Sequence, residues 1–118
     1  MENGSVAHGD CAAVQYSGAG GRDPLFLAKD FIPIIQKYIT PLYKGKDITT
    51  FREMADLVDK GINPETGKIY HTAIRYGLTQ ACLDAVAKSK SKLMAQVIAD
   101  EYGTSISDKI FSIFLCLC

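Results

Sequence analysis

The chain has 118 residues, a length that suits one domain with a core of its own. Its 13 lysines and arginines balance 13 aspartates and glutamates, and the like charges form no long runs. This balance gives no electrostatic basis for binding nucleic acid or an anionic membrane surface, so we expect neither partner.

The cysteines and the two ends of the sequence predict a cytoplasmic protein. Cys11, Cys82, Cys116 and Cys118 lack the spacing of a secreted disulfide framework or a zinc site. The opening MENGSVAHGD has no basic region followed by an apolar run, so no signal peptide is expected. The closing IFSIFLCLC is about half as long as a membrane-spanning helix, so we expect no span.

Residues 5–14, SVAHGDCAAV, mix small and apolar residues around a glycine and predict a short strand. No second strand is evident to pair with its backbone. His8, Asp10 and Cys11 lie close enough in sequence to suggest a metal site. Because alternate strand residues point to opposite faces and no second ligand cluster exists, an ordinary strand is favoured.

The first predicted helix follows a glycine-rich stretch. Asp23 suits its N-cap and Pro24 its first helical position, and apolar residues then recur at helical spacing. Pro33 falls inside this pattern, which predicts a kink or break near Lys29–Ile32. The helix is expected to end before Pro41.

Two other short helices carry recognisable end signals. Thr50 and Glu53 have the spacing of a capping box, and the helix that they begin is expected to stop at Gly61. Ser91 is predicted to cap a last helix that closes at Tyr102–Gly103.

The longest predicted helix runs from Tyr70 to Ala87, after the turn sequence GINPETG. One of its stripes is rich in small residues, so we expect another segment to pack close against it. The stripe consists of Ala73, Ile74, Gly77, Leu78, Ala81, Cys82, Ala85 and Val86. His71 is interpreted as a helix-start residue and not as a catalytic base, since no carboxylate or nucleophile is spaced to orient it.

The loop SGAGGRD, residues 17–23, suggests a phosphate cradle ahead of a helix N-terminus. It matches neither the dinucleotide fingerprint nor the P-loop, and Asp23 would repel an anion, so a plain glycine loop is favoured. Gln15, just before this loop, can donate and accept hydrogen bonds and could orient a small polar ligand. Composition alone favours a surface glutamine.

Three segments change that interpretation: VAHGDCAAVQYSGAGGRDPLFLAKDFIP at 6–33, HTAIRYGLTQACLDAVAKSK at 71–90 and MAQVIADEY at 94–102. Together they closely resemble the N-terminal capping domain of the methylaspartate ammonia-lyase family, in the enolase superfamily. The resemblance implies an α+β, mainly α fold with one short strand and about four helices. It divides the chain into a partial capping domain, 1–103, and an unrelated apolar tail, 104–118.

The resemblance also implies a reaction. The family eliminates ammonia from L-threo-3-methylaspartate to give mesaconate, in glutamate degradation, with Mg²⁺ and usually as homodimers. Its base and metal ligands belong to a (β/α) barrel, a fold of about 250 residues that we do not expect in this chain. Gln15 matches the capping-domain glutamine beside the substrate's amino group, and no catalytic or metal-binding residue carries over.

We therefore expect a chain of this lyase family that is inactive alone, with apolar surfaces that favour aggregation. The alternative from another functional class is a non-catalytic helical interaction module, in which the small-residue stripe docks on a partner.

Overall fold

A computed structural model of the protein describes residues 1–12 and 25–109. Within these ranges the fold is mainly helical, with four helical stretches and one two-stranded antiparallel hairpin, which confirms the predicted fold class. The elements are α1 (Ala28–Ile34), a π-helical segment (Ile35–Ile39), α2 (Thr40–Tyr43), α3 (Phe51–Asp59), β1 (Ile62–Asn63), β2 (Lys68–Ile69), α4 (Thr72–Ser89) and α5 (Met94–Tyr102).

The predicted strand at 5–14 is wrong for its described part, since residues 5–12 join no ladder. They run beside α4 and bond to its side chains. The two short strands lie instead in the turn region, where Ile62 pairs with Ile69 and Asn63 with Lys68. The hairpin surrounds the predicted turn, with Gly67 at a φ of 67° that favours glycine.

The first helical stretch starts later than predicted, at Ala28, with Leu27 in extended conformation as its N-cap. The proposed cap, Asp23, and Pro24 lie outside the described residues. Leu25–Leu27, however, are described and are not helical, so the predicted start is wrong.

The prolines of this stretch also act differently from the prediction. The helix passes through Lys29–Ile32 without a break and continues beyond Pro41 to Tyr43. The irregularity is the π-helical segment Ile35–Ile39, between the two prolines. Because a proline has no N–H and its ring crowds the carbonyl four residues earlier, a wider turn before Pro41 relieves both problems.

Capping at α3 agrees with the sequence. Thr50 is the N-cap, and its Oγ1 accepts from the backbone N–H of Glu53 at 3.2 Å. Tyr43 Oη donates to the carbonyl oxygen of Met54 at 2.8 Å, which ties the end of the first helical stretch to α3.

The central element is α4, which starts at Thr72 and not at Tyr70. His71 is its N-cap, as predicted, and its Nδ1 accepts from the N–H of Ala73 at 3.0 Å. Helix α4 contributes to two apolar clusters, whose buried members are Ile34, Ile39, Val58, Tyr70 and Ile74 in one and Val86, Ala87 and Val97 in the other.

The predicted cap of the last helix is wrong. Ser91 has a left-handed φ of 52° and ends α4, because the N–H of Ser91 bonds to Lys88 O and that of Lys92 to Ala87 O. Helix α5 begins after Leu93, whose N–H donates to Gln96 Oε1 at 2.8 Å. The predicted stop is confirmed, since Gly103 adopts a φ of 65° after Tyr102.

Candidate functional site

The predicted ligand-contacting residue, Gln15, lies outside the described residues, as do the other residues of 13–24. The structure does describe the residues on either side, which end at Ala12 and resume at Leu25. These two flanks, residues 5–12 and 25–31, determine where the chain enters and leaves residues 13–24.

The N-terminal flank is held by three polar side chains of α4. Lys88 Nζ donates to Val6 O at 2.7 Å, Asp84 Oδ2 accepts from His8 N at 2.8 Å, and Gln80 Oε1 accepts from Asp10 N at 2.9 Å. We call Gln80, Asp84 and Lys88 the α4 clamp. These residues were not predicted as functional from the sequence. Their signal is a polar series at four-residue spacing, which looks the same as any solvated helix face.

The clamp works because two spacings agree. Four residues of an α-helix rise about 6 Å, and two residues of an extended chain span about 6.6 Å. Each successive clamp residue therefore meets every second residue of the segment, in antiparallel direction. Burial follows this spacing in part: Ala7 and Cys11 are half-buried, whereas His8, Gly9 and Asp10 are exposed.

Close approach between backbones completes this contact. A Cβ on Gly77 would lie 2.5 Å from Cys11 Sγ and 2.8 Å from Cys11 N. A Cβ on Gly9 would overlap the carbonyl oxygen of Gly77 and come within 2.8 Å of Ala81 N. The predicted close packing against the small-residue stripe is confirmed, and the segment that packs there is residues 9–11.

The C-terminal flank of the loop is held at the start of the same helix. The rings of Phe26 and Phe31 stack with centroids 4.6 Å apart, and the His71 ring lies 5.0 Å from the first and 5.1 Å from the second. Both flanks of residues 13–24 are thus anchored on α4, the first along Gln80–Lys88 and the second at the N-cap residue His71.

The ion pair between Asp84 and Lys88 strengthens the α4 clamp. The hydrogen bond from Lys88, and then that from the His8 backbone, hold the pKa of the Asp84 carboxyl below its ordinary value. Lys88 Nζ lies 2.7 Å from Asp84 Oδ2, and the Asp84 side chain is only 16% exposed. This aspartate therefore remains charged under mildly acidic conditions.

The described thiols are not activated nucleophiles. Burial raises the pKa of the Cys82 thiol, and burial together with the Asp10 charge raises that of Cys11. Cys82, a member of the small-residue stripe, is a buried core residue with 5% exposure.

No metal centre is formed by residues 1–12 and 25–109, where no three His, Cys, Asp or Glu side chains are grouped to hold an ion. His8, Asp10 and Cys11 are accordingly not a cluster of ligands. The described residues do not fit a magnesium site. None of the described helices is long and apolar enough to cross a membrane.

Comparison with known proteins agrees with this architecture. The family model described as methylaspartate ammonia-lyase N-terminus matches residues 1–103. Methylaspartate ammonia-lyase of Clostridium tetanomorphum is 64% identical over 103 residues, which are 87% of this chain and 24% of that enzyme. Methylaspartate ammonia-lyase 2 of Carboxydothermus hydrogenoformans is 52% identical over 115 residues, which are 98% of this chain and 28% of that enzyme.

Solved structures give the same picture. The chain is similar to the magnesium complex of β-methylaspartase from Clostridium tetanomorphum, with a TM-score of 0.82 and 60% identity, covering 92% of this chain and 26% of that one. It is also similar to the Citrobacter amalonaticus methylaspartate ammonia-lyase containing (2S,3S)-3-methylaspartic acid, with a TM-score of 0.81 and 53% identity, covering 87% and 25%.

The chain spans about a quarter of the length of the curated relatives that it matches. The chain therefore belongs to the methylaspartate ammonia-lyase family and corresponds to its N-terminal domain.

Proposed function

We propose that this chain acts as the N-terminal capping domain of a methylaspartate ammonia-lyase, which eliminates ammonia from L-threo-3-methylaspartate to give mesaconate in glutamate degradation. The match of the family model over residues 1–103 carries this proposal. The Citrobacter amalonaticus relative, which contains (2S,3S)-3-methylaspartic acid, supports the choice of a small amino diacid as substrate.

In this proposal Gln15 is the residue that contacts the substrate, through its amide oxygen, which can accept a hydrogen bond from an ammonium group. Residues 1–103 form the capping domain, and residues 104–118 are a tail without a part in it. Indirect support for a capping role comes from the described residues on either side of 13–24, which are both anchored on α4.

The same proposal assigns the base and the Mg²⁺ ligands to a barrel of the enolase superfamily. The magnesium complex of the Clostridium tetanomorphum relative supports the metal. When bound, Mg²⁺ would neutralise negative charge that develops on the substrate carboxylate as the β-proton leaves. Without those groups most of the transition-state stabilisation is absent, so the 118-residue chain should not turn over substrate alone. A cytoplasmic homodimer is the assembly proposed for the complete enzyme.

The first experiment measures mesaconate by its ultraviolet absorbance after Mg²⁺ and L-threo-3-methylaspartate are added to the purified chain. We expect no turnover above background. Turnover comparable to that of the Clostridium tetanomorphum enzyme would contradict the proposed inactivity of the isolated chain.

The second experiment tests the capping role directly, in a hybrid enzyme. Residues 1–103 replace the matching 103-residue region of the Clostridium tetanomorphum enzyme, and we expect a hybrid that makes mesaconate. Gln15→Ala should lower its kcat/KM about 10- to 100-fold, the loss of one charge-assisted hydrogen bond. The matched control is Gln36→Ala, an exposed glutamine on the first helical stretch, which should leave the rate unchanged.

A folded hybrid that binds no substrate and makes no mesaconate would contradict the capping role. It would favour the alternative, a helical interaction module without a catalytic part.

A further inference from the structure

The α4 clamp connects one helix to the segment that leads into residue 15. Asp10, the last residue that the clamp holds, precedes Gln15 by five positions in the sequence. The clamp bonds only to backbone atoms of residues 6, 8 and 10, so it determines where the chain runs and in which register.

Without the clamp, the register of residues 5–12 against α4 would be weakly determined. The segment joins no strand ladder, and its side chains at 8, 10 and 12 are exposed, so apolar burial alone does not prevent it from sliding along α4. A slip by two residues would bring His8 N to Gln80 and move Gly9 away from Gly77. Because the Gly9–Gly77 contact admits no side chain, the clamp and the two glycines accept a single register.

We propose that Gln80, Asp84 and Lys88 are positioning residues for Gln15: their hydrogen bonds to the backbone of residues 6, 8 and 10 set the register of the segment that precedes Gln15 in the chain. This inference rests on the proposed function for its effect on catalysis, whereas the register itself is a property of the chain. Asp84 is the central member because it bonds both to the segment and to Lys88.

The register is tested in the full 118-residue chain by amide hydrogen exchange, resolved by residue. In the wild type the His8 and Asp10 amides should exchange at least tenfold more slowly than those of an unstructured peptide. Asp84→Ala should abolish protection of His8, whereas Asp84→Asn, which keeps an acceptor oxygen, should retain part of it. Asp100→Asn is the matched control, since it disrupts the ion pair of Asp100, on α5, with Lys92, in the link before that helix. Unprotected His8 and Asp10 amides in the wild type, or protection unaffected by Asp84→Ala, would overturn the proposal.

The catalytic effect is tested in the hybrid enzyme with a double-mutant cycle. A residue that acts only through Gln15 loses its effect when Gln15 is absent. Asp84→Ala should therefore lower kcat/KM at least fivefold alone and less than twofold in the Gln15→Ala background, while Asp100→Asn changes neither. Effects that multiply in full would assign Asp84 a merely structural role and overturn the positioning claim.

The exchange experiment and the kinetic experiment distinguish a failure of this proposal from a failure of the proposed function. A hybrid that is inactive with the wild-type residues contradicts the capping role and the catalytic part of the inference. The exchange result then still decides whether α4 sets the register of residues 6–10.

Discussion

The carboxylate of Glu101, on α5, caps the N-terminus of α3: its Oε2 accepts from Phe51 N at 2.7 Å and its Oε1 from Arg52 N at 3.0 Å. Thr50 Oγ1 takes the next amide, that of Glu53. The first three N–H groups of α3, which no helical carbonyl can accept, are thereby all satisfied. A negative charge at this position also opposes the positive end of the helix dipole.

Removal of this cap should destabilise the protein. Glu101→Ala leaves two amides of α3 without their acceptor, and we expect the free energy of unfolding to fall by about 1 to 2 kcal/mol. Urea denaturation followed by circular dichroism measures the change. Asp56→Asn is the control, since Asp56 forms an exposed pair with Lys60 that should contribute less than about 0.5 kcal/mol. Equal losses of unfolding free energy for the two substitutions would show that the Glu101 cap stabilises the protein no more than an exposed ion pair.

Alanine at Gly77 tests the close approach of the N-terminal segment. If nothing packed there, Gly77→Ala would stabilise α4 by about 1 kcal/mol through helix propensity. The overlap with Cys11 should reverse the sign and produce a net loss of about 1 to 2 kcal/mol, measured by urea denaturation. The alkylation rate of Cys11 should rise in the same variant, because the segment that covers the thiol is displaced. Tyr76→Ala is the control on the neighbouring residue, whose side chain is 58% exposed.

The lowered pKa of Asp84 predicts a dependence of stability on pH. The unfolded carboxyl titrates near pH 4, and the folded one titrates below it, so the stabilisation is complete above about pH 5. It is lost as the pH falls through the lowered folded pKa. We expect Asp84→Asn to reduce the free energy of unfolding at pH 5.5, and the difference from the wild type to shrink towards pH 3.5. A difference that stays constant over this range would contradict the assigned ion pair with Lys88.

Cys82 should be the less reactive of the two described thiols. Its burial and raised pKa leave little accessible thiolate at pH 7.5, whereas Cys11 is half-buried. Iodoacetamide labelling followed by tryptic mass spectrometry separates them, since they fall in the peptides 76–88 and 1–22. We expect Cys82 to be labelled only after denaturant is added. Labelling of both thiols at the same rate in the native protein would contradict the burial of the Cys82 side chain.

Local end signals were reliable where one residue provides the whole mechanism. Thr50 caps α3 through its own hydroxyl, His71 caps α4 through its ring nitrogen, and Gly103 ends α5 in the left-handed conformation. Ser91 failed because the same residue type can serve at either end of a helix. Its left-handed backbone ends α4, and the Ser91 and Lys92 N–H groups bond to carbonyl oxygens of that helix, so Ser91 belongs to the C-terminal end of α4.

The amino-acid sequence by itself determined the mainly helical fold, the small-residue stripe of α4 and the family, because these depend on residue types and on their spacing along the chain. It also predicted a strand over residues 5–14, which the described residues 5–12 do not form. Only the tertiary structure decided what satisfies that segment's backbone. The Gln80 amide, the Asp84 carboxylate and the Lys88 ammonium group bond to it, because four residues of a helix and two residues of an extended chain share a repeat of about 6 Å.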